Sequence, residues 1–167
     1  AGAPAGAMDT AVSGFAGLEH AMELVATIGG VRFVNDSKAT NVEAAVRSVE
    51  SFPGGVVAII GGRFKGGDLR LLRTPLGGRG AAVVAISEAA PLVHDALGEV
   101  VRVHDAASME QAVERAFALA PSPGVVLLAP ACASFDMFRD YAERGQRFKD
   151  AVRRLEAHAR EREGRVG

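Results

Sequence analysis

Three short segments concentrate the residue types that chemistry needs. The first, Asn35-Asp36-Ser37-Lys38-Ala39-Thr40-Asn41, packs an acid, a base, two hydroxyls and two amides into seven residues. A helix N-cap requires only one such side chain, and Thr40 or Asn41 alone would cap a helix starting at Val42. The second is Gly61-Gly62-Arg63-Phe64-Lys65-Gly66-Gly67-Asp68. Its glycines allow close backbone approach, and Arg63 and Lys65 would bring positive charge to an anion. It is not a Walker A loop, because that motif needs Gly-Lys before Ser or Thr and this chain has no Gly-Lys dipeptide. A plain tight turn with Asp68 as an N-cap accounts for it equally well. The third is Pro130-Ala131-Cys132-Ala133-Ser134-Phe135-Asp136, whose small residues permit a close turn. Ser134 and the free N–H groups of a following helix start suit a carboxylate or phosphate. Cys132 has no evident His-plus-acid partner in sequence, so a buried structural cysteine is the better reading than a nucleophile. Together Lys38, Lys65 and Ser134 predict a site for a small carboxylate- or phosphate-bearing ligand, without specifying a reaction.

These segments lie between elements that must position them. Apolar runs at Leu24–Ile28, Val31–Val34, Val56–Ile60, Ala82–Ile86, Val100–Val103 and Val125–Leu128 read as strands. Gly29-Gly30 is a two-residue hairpin signal, so the first two runs should be antiparallel. The later runs are nearly continuous in Val, Ile, Leu and Ala, as parallel strands covered on both faces require. Val42, Ala45, Val46 and Val49 repeat at helical spacing before Pro53-Gly54. Met109, Ala112, Val113, Ala116 and Phe117 do the same behind Ser108 and Gln111, which match a capping box. Phe138, Tyr141, Phe148, Val152 and Leu155 line a long C-terminal helical region, expected to bend or break near Gly145. Its tail, from Arg153 to Arg162, alternates in charge like a solvated face. The expected fold is α/β: a Rossmann-like open, mostly parallel sheet with one antiparallel edge hairpin and helices on both faces. Each polar segment then follows a strand, where ligands of such folds bind.

Composition narrows the class further. The chain has 167 residues, enough for one α/β domain, and 19 basic against 20 acidic residues for a formal net charge of −1. That balance gives no reason to expect nucleic acid or an anionic membrane as a partner. A single cysteine excludes an intramolecular disulfide and a multi-cysteine zinc site, which fits a cytoplasmic protein. His94, His104 and His158 lack metal-like spacing and read as surface or helix residues, so no metal site is expected. Only three lysines stand against sixteen arginines, so a lysine in a loop draws notice. The opening AGAPAGAMDTAVSGFAG carries neither an initiator Met nor a leader pattern and reads as the middle of a longer protein.

The three polar segments, extended in the third to Ala129-to-Phe138, closely resemble the C-terminal domain of the Mur ligase family, in particular its D-glutamate-adding members of peptidoglycan synthesis. Glu143-Arg144-Gly145, within Phe138-to-Phe148, also looks like this family. The resemblance runs from about Phe15 to Leu155. Sister Mur ligases and folylpolyglutamate synthases usually carry a His-containing motif where this chain has Asp-Ser-Lys-Ala-Thr-Asn. The resemblance implies an ATP-dependent ligase: ATP and Mg2+ phosphorylate the carboxylate of UDP-N-acetylmuramoyl-L-alanine, and the amine of D-glutamate attacks the acyl phosphate. By resemblance, Lys38 is catalytic, and Lys38, Thr40, Lys65, Ser134, Phe135 and Tyr141 surround D-glutamate. Asp36 would contact the nucleotide ribose, with Asn35 and His20 also on the nucleotide side. Residues 1–16 would end a central ATP-binding domain absent from the chain, and 17–167 would form the amino-acid-binding domain, expected to be monomeric and inactive alone. Two positions depart from the pattern. Ala21 stands where the family usually has an ATP-holding arginine after the histidine, with Arg63 as a possible substitute, and Tyr141 replaces the usual Phe. The competing reading is a non-catalytic Rossmann-like module that binds an anion or a protein.

Overall fold

The structure is a computed structural model that describes residues 18–78 and 82–166; the segment 1–16, expected to end a preceding domain, lies outside the described residues. Six strands form one sheet: β1 (Glu23–Ile28), β2 (Val31–Asn35), β3 (Val56–Gly61), β4 (Ala82–Ile86), β5 (Arg102–Ala106) and β6 (Gly124–Leu128). Their spatial order is β1-β2-β6-β3-β4-β5. β1 and β2 pair antiparallel, as the glycine hairpin predicts, with Gly29 and Gly30 at φ 56° and 82°. Every other pairing is parallel.

The continuous apolar runs are buried on both faces because helices cover both. α1 (Val42–Glu50) begins at Asn41, whose Oδ1 accepts the Ala44 amide at 2.8 Å. α1 packs on one face with a 3-10 turn at Leu69–Leu72, the short α2 (Arg73–Leu76) and α3 (Ala90–Leu97). α4 (Met109–Leu119) and α5 (Tyr141–Val166) cover the other. Side chains alternate accordingly: Val56, Ala58 and Ile60 of β3 join the α1 face, and Val57 and Ile59 the α4–α5 face. Each buried Val, Ile or Leu contributes roughly 1.5–3 kcal/mol, so the sheet is a rigid floor for the loops at its edge.

Two expectations need correction, and one helix adds to them. The fifth strand begins at Arg102 rather than Val100, because the Val100 and Val101 amides still donate to the Leu97 carbonyl at 3.0 and 3.1 Å as the chain leaves α3. α3 itself was not anticipated; Pro91 sits in its first turn, where a missing N–H costs nothing, and Val93 and Leu97 are buried one turn apart. The C-terminal helix runs unbroken through Gly145 to Val166, because that glycine gives space to a neighbouring side chain instead of bending the backbone.

Candidate active site at the carboxyl ends of β2, β6 and β3

β6 enters the sheet between β2 and β3, so the loops that follow these three strands emerge side by side. Backbone hydrogen bonds lace them together. The Asp36 amide donates to Leu128 O at 2.9 Å, and the Ala131 amide donates to Ala39 O at 2.9 Å. The Gly61 amide donates to Pro130 O at 3.0 Å, and Arg63 and Ala133 exchange a reciprocal pair at 2.8 and 3.0 Å. Such approach excludes side chains: a Cβ on Gly62 (φ 138°) would overlap the Ala133 carbonyl, and one on Gly61 (φ 144°) the Ile86 carbonyl. Asp68 accepts from the Arg70 amide at 3.0 Å and caps the 3-10 turn, so the second loop contains the plain N-cap as well as its two basic residues.

On this floor, Lys38 and Lys65 are exposed. The Lys38 ammonium lies 5.7 Å from the Tyr141 ring centroid, and neither lysine has an ion-pair partner among the described residues. Thr40 is half-buried, Ser134 is buried, and Phe135 and Tyr141 are exposed. Ser134 does not start the last helix as expected. Its carbonyl accepts the Met137 and Phe138 amides in a separate turn, and α5 begins at Tyr141. There Asp140 and Glu143 cap the helix start: Asp140 Oδ1 accepts the Glu143 amide, and Glu143 Oε2 accepts the amide of Arg139, one residue before Asp140, each at 2.8 Å.

Cys132 is wholly buried, and burial pushes its thiol up to about 11, so it stays protonated at neutral pH. Asp36 borders a pocket of about 230 Å³ lined with Met22, Lys38, Arg47 and Ser48. Its carboxylate accepts from the Met22 amide at 3.1 Å and from the Ser48 hydroxyl, and burial raises its pKa above the ordinary 3.8.

His20 and Asn35 are buried behind the first loop and bonded to each other. Asn35 Nδ2 lies 2.9 Å from His20 Nδ1 and donates to Glu23 Oε1 at 3.0 Å. An amide N–H2 only donates, so Nδ1 is the acceptor and the imidazole proton sits on Nε2. Burial holds the His20 pKa below 6.5. The ring packs against Gly145, where any Cβ would overlap it, and the His20 carbonyl accepts the Lys38 amide at 3.0 Å. Lys149, one turn further along α5, reaches Glu19 at 2.8 Å and Glu23 at 3.2 Å. One further reading changes: His104, expected at the surface or on a helix, lies half-buried on β5. His94 lies on a helix as expected, on α3, where it pairs with Asp105 at 2.9 Å. Sequence reasoning gave no role to Arg144, which is completely buried beneath the first and third loops. Its helical phase, three residues after Tyr141 and four before Phe148, was the signal that places it on the packed face.

A twisted α/β sheet with glycine-bared, laced loops at its switch point defines a Rossmann-like ligand-binding domain. The profile of the family described as "Mur ligase, glutamate ligase domain" matches residues 21–132. A UDP-N-acetylmuramoylalanine–D-glutamate ligase from Acidobacterium capsulatum is 49% identical over 152 residues, covering 91% of this chain and 33% of the relative. One of the same name from Geobacter sp. is 48% identical over 86% of this chain and 32% of its own length. Among solved structures, a UDP-N-acetylmuramate-alanine ligase from Thermotoga maritima shares the fold at TM-score 0.53 and 10% identity, over 82% of this chain and 30% of that one. The chain belongs to the Mur ligase family, as a glutamate ligase domain. It spans about a third of the length of the curated relatives it matches.

Proposed function

We propose that this chain is the amino-acid-binding domain of an ATP-dependent ligase that adds D-glutamate to UDP-N-acetylmuramoyl-L-alanine in peptidoglycan synthesis. The observation that carries this reading is the pair of exposed ammonium groups, Lys38 and Lys65, neither ion-paired among the described residues, on two loops laced through a third. Two cations suit a dicarboxylate, and the Ser134 hydroxyl with the exposed Phe135 and Tyr141 rings would close the remaining sides. Lys38 would both hold D-glutamate and stabilise negative charge developing where its amine attacks, so catalysis here is positioning and electrostatics. Thr40 would add a hydroxyl contact beside Lys38.

On the nucleotide side, the Asp36 pocket suits a ribose, since a buried carboxylate accepts from hydroxyls; Asn35 and His20 would support that wall from behind. ATP, when bound, supplies the phosphoryl group that activates the acceptor carboxylate. Among the described residues no group of three or more His, Cys, Asp or Glu could hold a metal ion; Mg2+, ordinarily held by one or two carboxylates with phosphate oxygens and waters, would take most of its ligands, like the UDP-linked substrate, from outside this domain. We infer a cytoplasmic monomer; no helix among the described residues is long and apolar enough to cross a membrane.

In a full-length ligase carrying this domain, Lys65→Ala should remove one charge-assisted contact, about 1.5–3 kcal/mol, or roughly 10–150-fold in the KM for D-glutamate. The KM for ATP should hardly move. Equal losses for both substrates would remove Lys65 from the glutamate site.

A further inference from the structure

Arg144 has the largest of the wholly buried side chains. Its guanidinium spends three hydrogen bonds on two loops. Nε donates to Ser37 Oγ at 3.0 Å, Nη2 to Ser37 O at 2.9 Å, and Nη1 to Cys132 O at 2.9 Å. Ser37 Oγ in turn donates to Tyr141 O at 2.6 Å, so the fork also holds the first residue of α5. No carboxylate pairs with Arg144 among the described residues; its acceptors are two carbonyls and a hydroxyl. The Asp136 carboxylate favours its charge from a distance without forming an ion pair, so burying this cation is a costly way to fill space, and an apolar side chain of similar volume would be cheaper. What a methionine could not do is tie the residue before Lys38 to the residue two before Ser134. A lysine could reach only part of that set, because its ammonium lacks the planar fork.

We propose that Arg144 is a positioning residue for the ligand site: its fork fixes the Lys38 loop against the Ser134 loop, so that both donors meet one bound dicarboxylate. The dicarboxylate half of this statement rests on the glutamate reading above; the clamp itself does not. The neighbouring contacts agree with the role. Asn35 Oδ1 accepts the Ser37 amide at 3.2 Å, so Ser37 is fixed from both sides. Lys38 and Ser134 then inherit their placement from a side chain that touches neither.

The test is amide hydrogen exchange on the whole 167-residue chain without ligand, comparing the parent with Arg144→Met and Arg144→Lys, followed by D-glutamate titration of all three. Exchange at Lys38, Ala39, Ala131 and Ala133 should accelerate at least tenfold in both variants, while Ile59 of β3 and Val84 of β4 keep their protection. D-glutamate affinity should fall at least tenfold in both. Unchanged loop exchange, acceleration spread evenly through the sheet, or an Arg144→Lys chain that behaves like the parent would each overturn the proposal; the last would mean that charge suffices without the fork. Localised loop acceleration in a family of chains whose parent ignores D-glutamate would support the clamp and reject the glutamate assignment instead.

Discussion

Cys132 and His20 sit within the same loop assembly, and burial moves both away from the charged form. The Cys132 thiol, pushed to about 11, should alkylate with iodoacetamide at pH 7.5 roughly 100-fold or more slowly than an ordinary thiol near 8.5. Cys132→Ser should leave ligand binding intact; fast alkylation of the folded chain would contradict the structural role. For His20 the folded pKa lies below 6.5, so the unfolded chain takes up its proton first as pH falls. The resulting stability is complete above 6.5 and is lost as pH drops from there through the folded value. Melting temperature should therefore decline from pH 7.5 to 5.5, and His20→Gln should flatten that part of the profile. An identical slope in the variant would place the titration elsewhere. The exposed lysines were legible in sequence because this chain uses so few and puts two of them in loops, Lys38 in a polar one and Lys65 in a glycine-rich one. Arg144 was not: one arginine among sixteen looks like surface charge until its helical phase is set against Tyr141 and Phe148.

Helix α5 shows how the existence of an element can be legible while its start and its continuity are not. A glycine in a helix interior suggested a break, since Gly costs about 1 kcal/mol relative to Ala there. The tertiary contact overrides that signal, because Gly145 is where the His20 ring packs. Gly145→Ala would gain that propensity but force an overpacked contact of about 1–3 kcal/mol. The net expectation is a destabilisation of up to about 2 kcal/mol, measured by urea unfolding, with Lys38 disturbed through its bond to the His20 carbonyl. A more stable Gly145→Ala chain would contradict the packing account. The start of α5 carried a readable signal, Asp140 with Glu143, that matches a capping box and was overlooked in favour of Ser134. α3 and the start of β5 were obscured because Val100 and Val101 look like strand residues while serving as the turn between the two.

For the molecule as a whole, strand types and the edge hairpin followed from local pattern, whereas the insertion of β6 between β2 and β3 is a long-range pairing that local pattern does not encode. That insertion is what brings the three polar loops together. Without it, their resemblance to a ligand site would be a matter of composition. With it, two ammonium groups that have no ion-pair partner among the described residues stand on one laced floor, the arrangement on which the proposed glutamate site rests. Glu19 in the turn before β1 and Glu23 at the start of β1 are both tied to Lys149, on the same helix that carries Tyr141 and Arg144. The most direct test of the account is an NMR titration of this chain with D-glutamate, with L-glutamate as the control. A preformed glutamate site should give saturable amide shifts confined to the loops bearing Lys38, Lys65 and Ser134, stronger for the D enantiomer. Absence of shifts with either enantiomer, or equal shifts far from these loops, would contradict a preformed glutamate site on this domain.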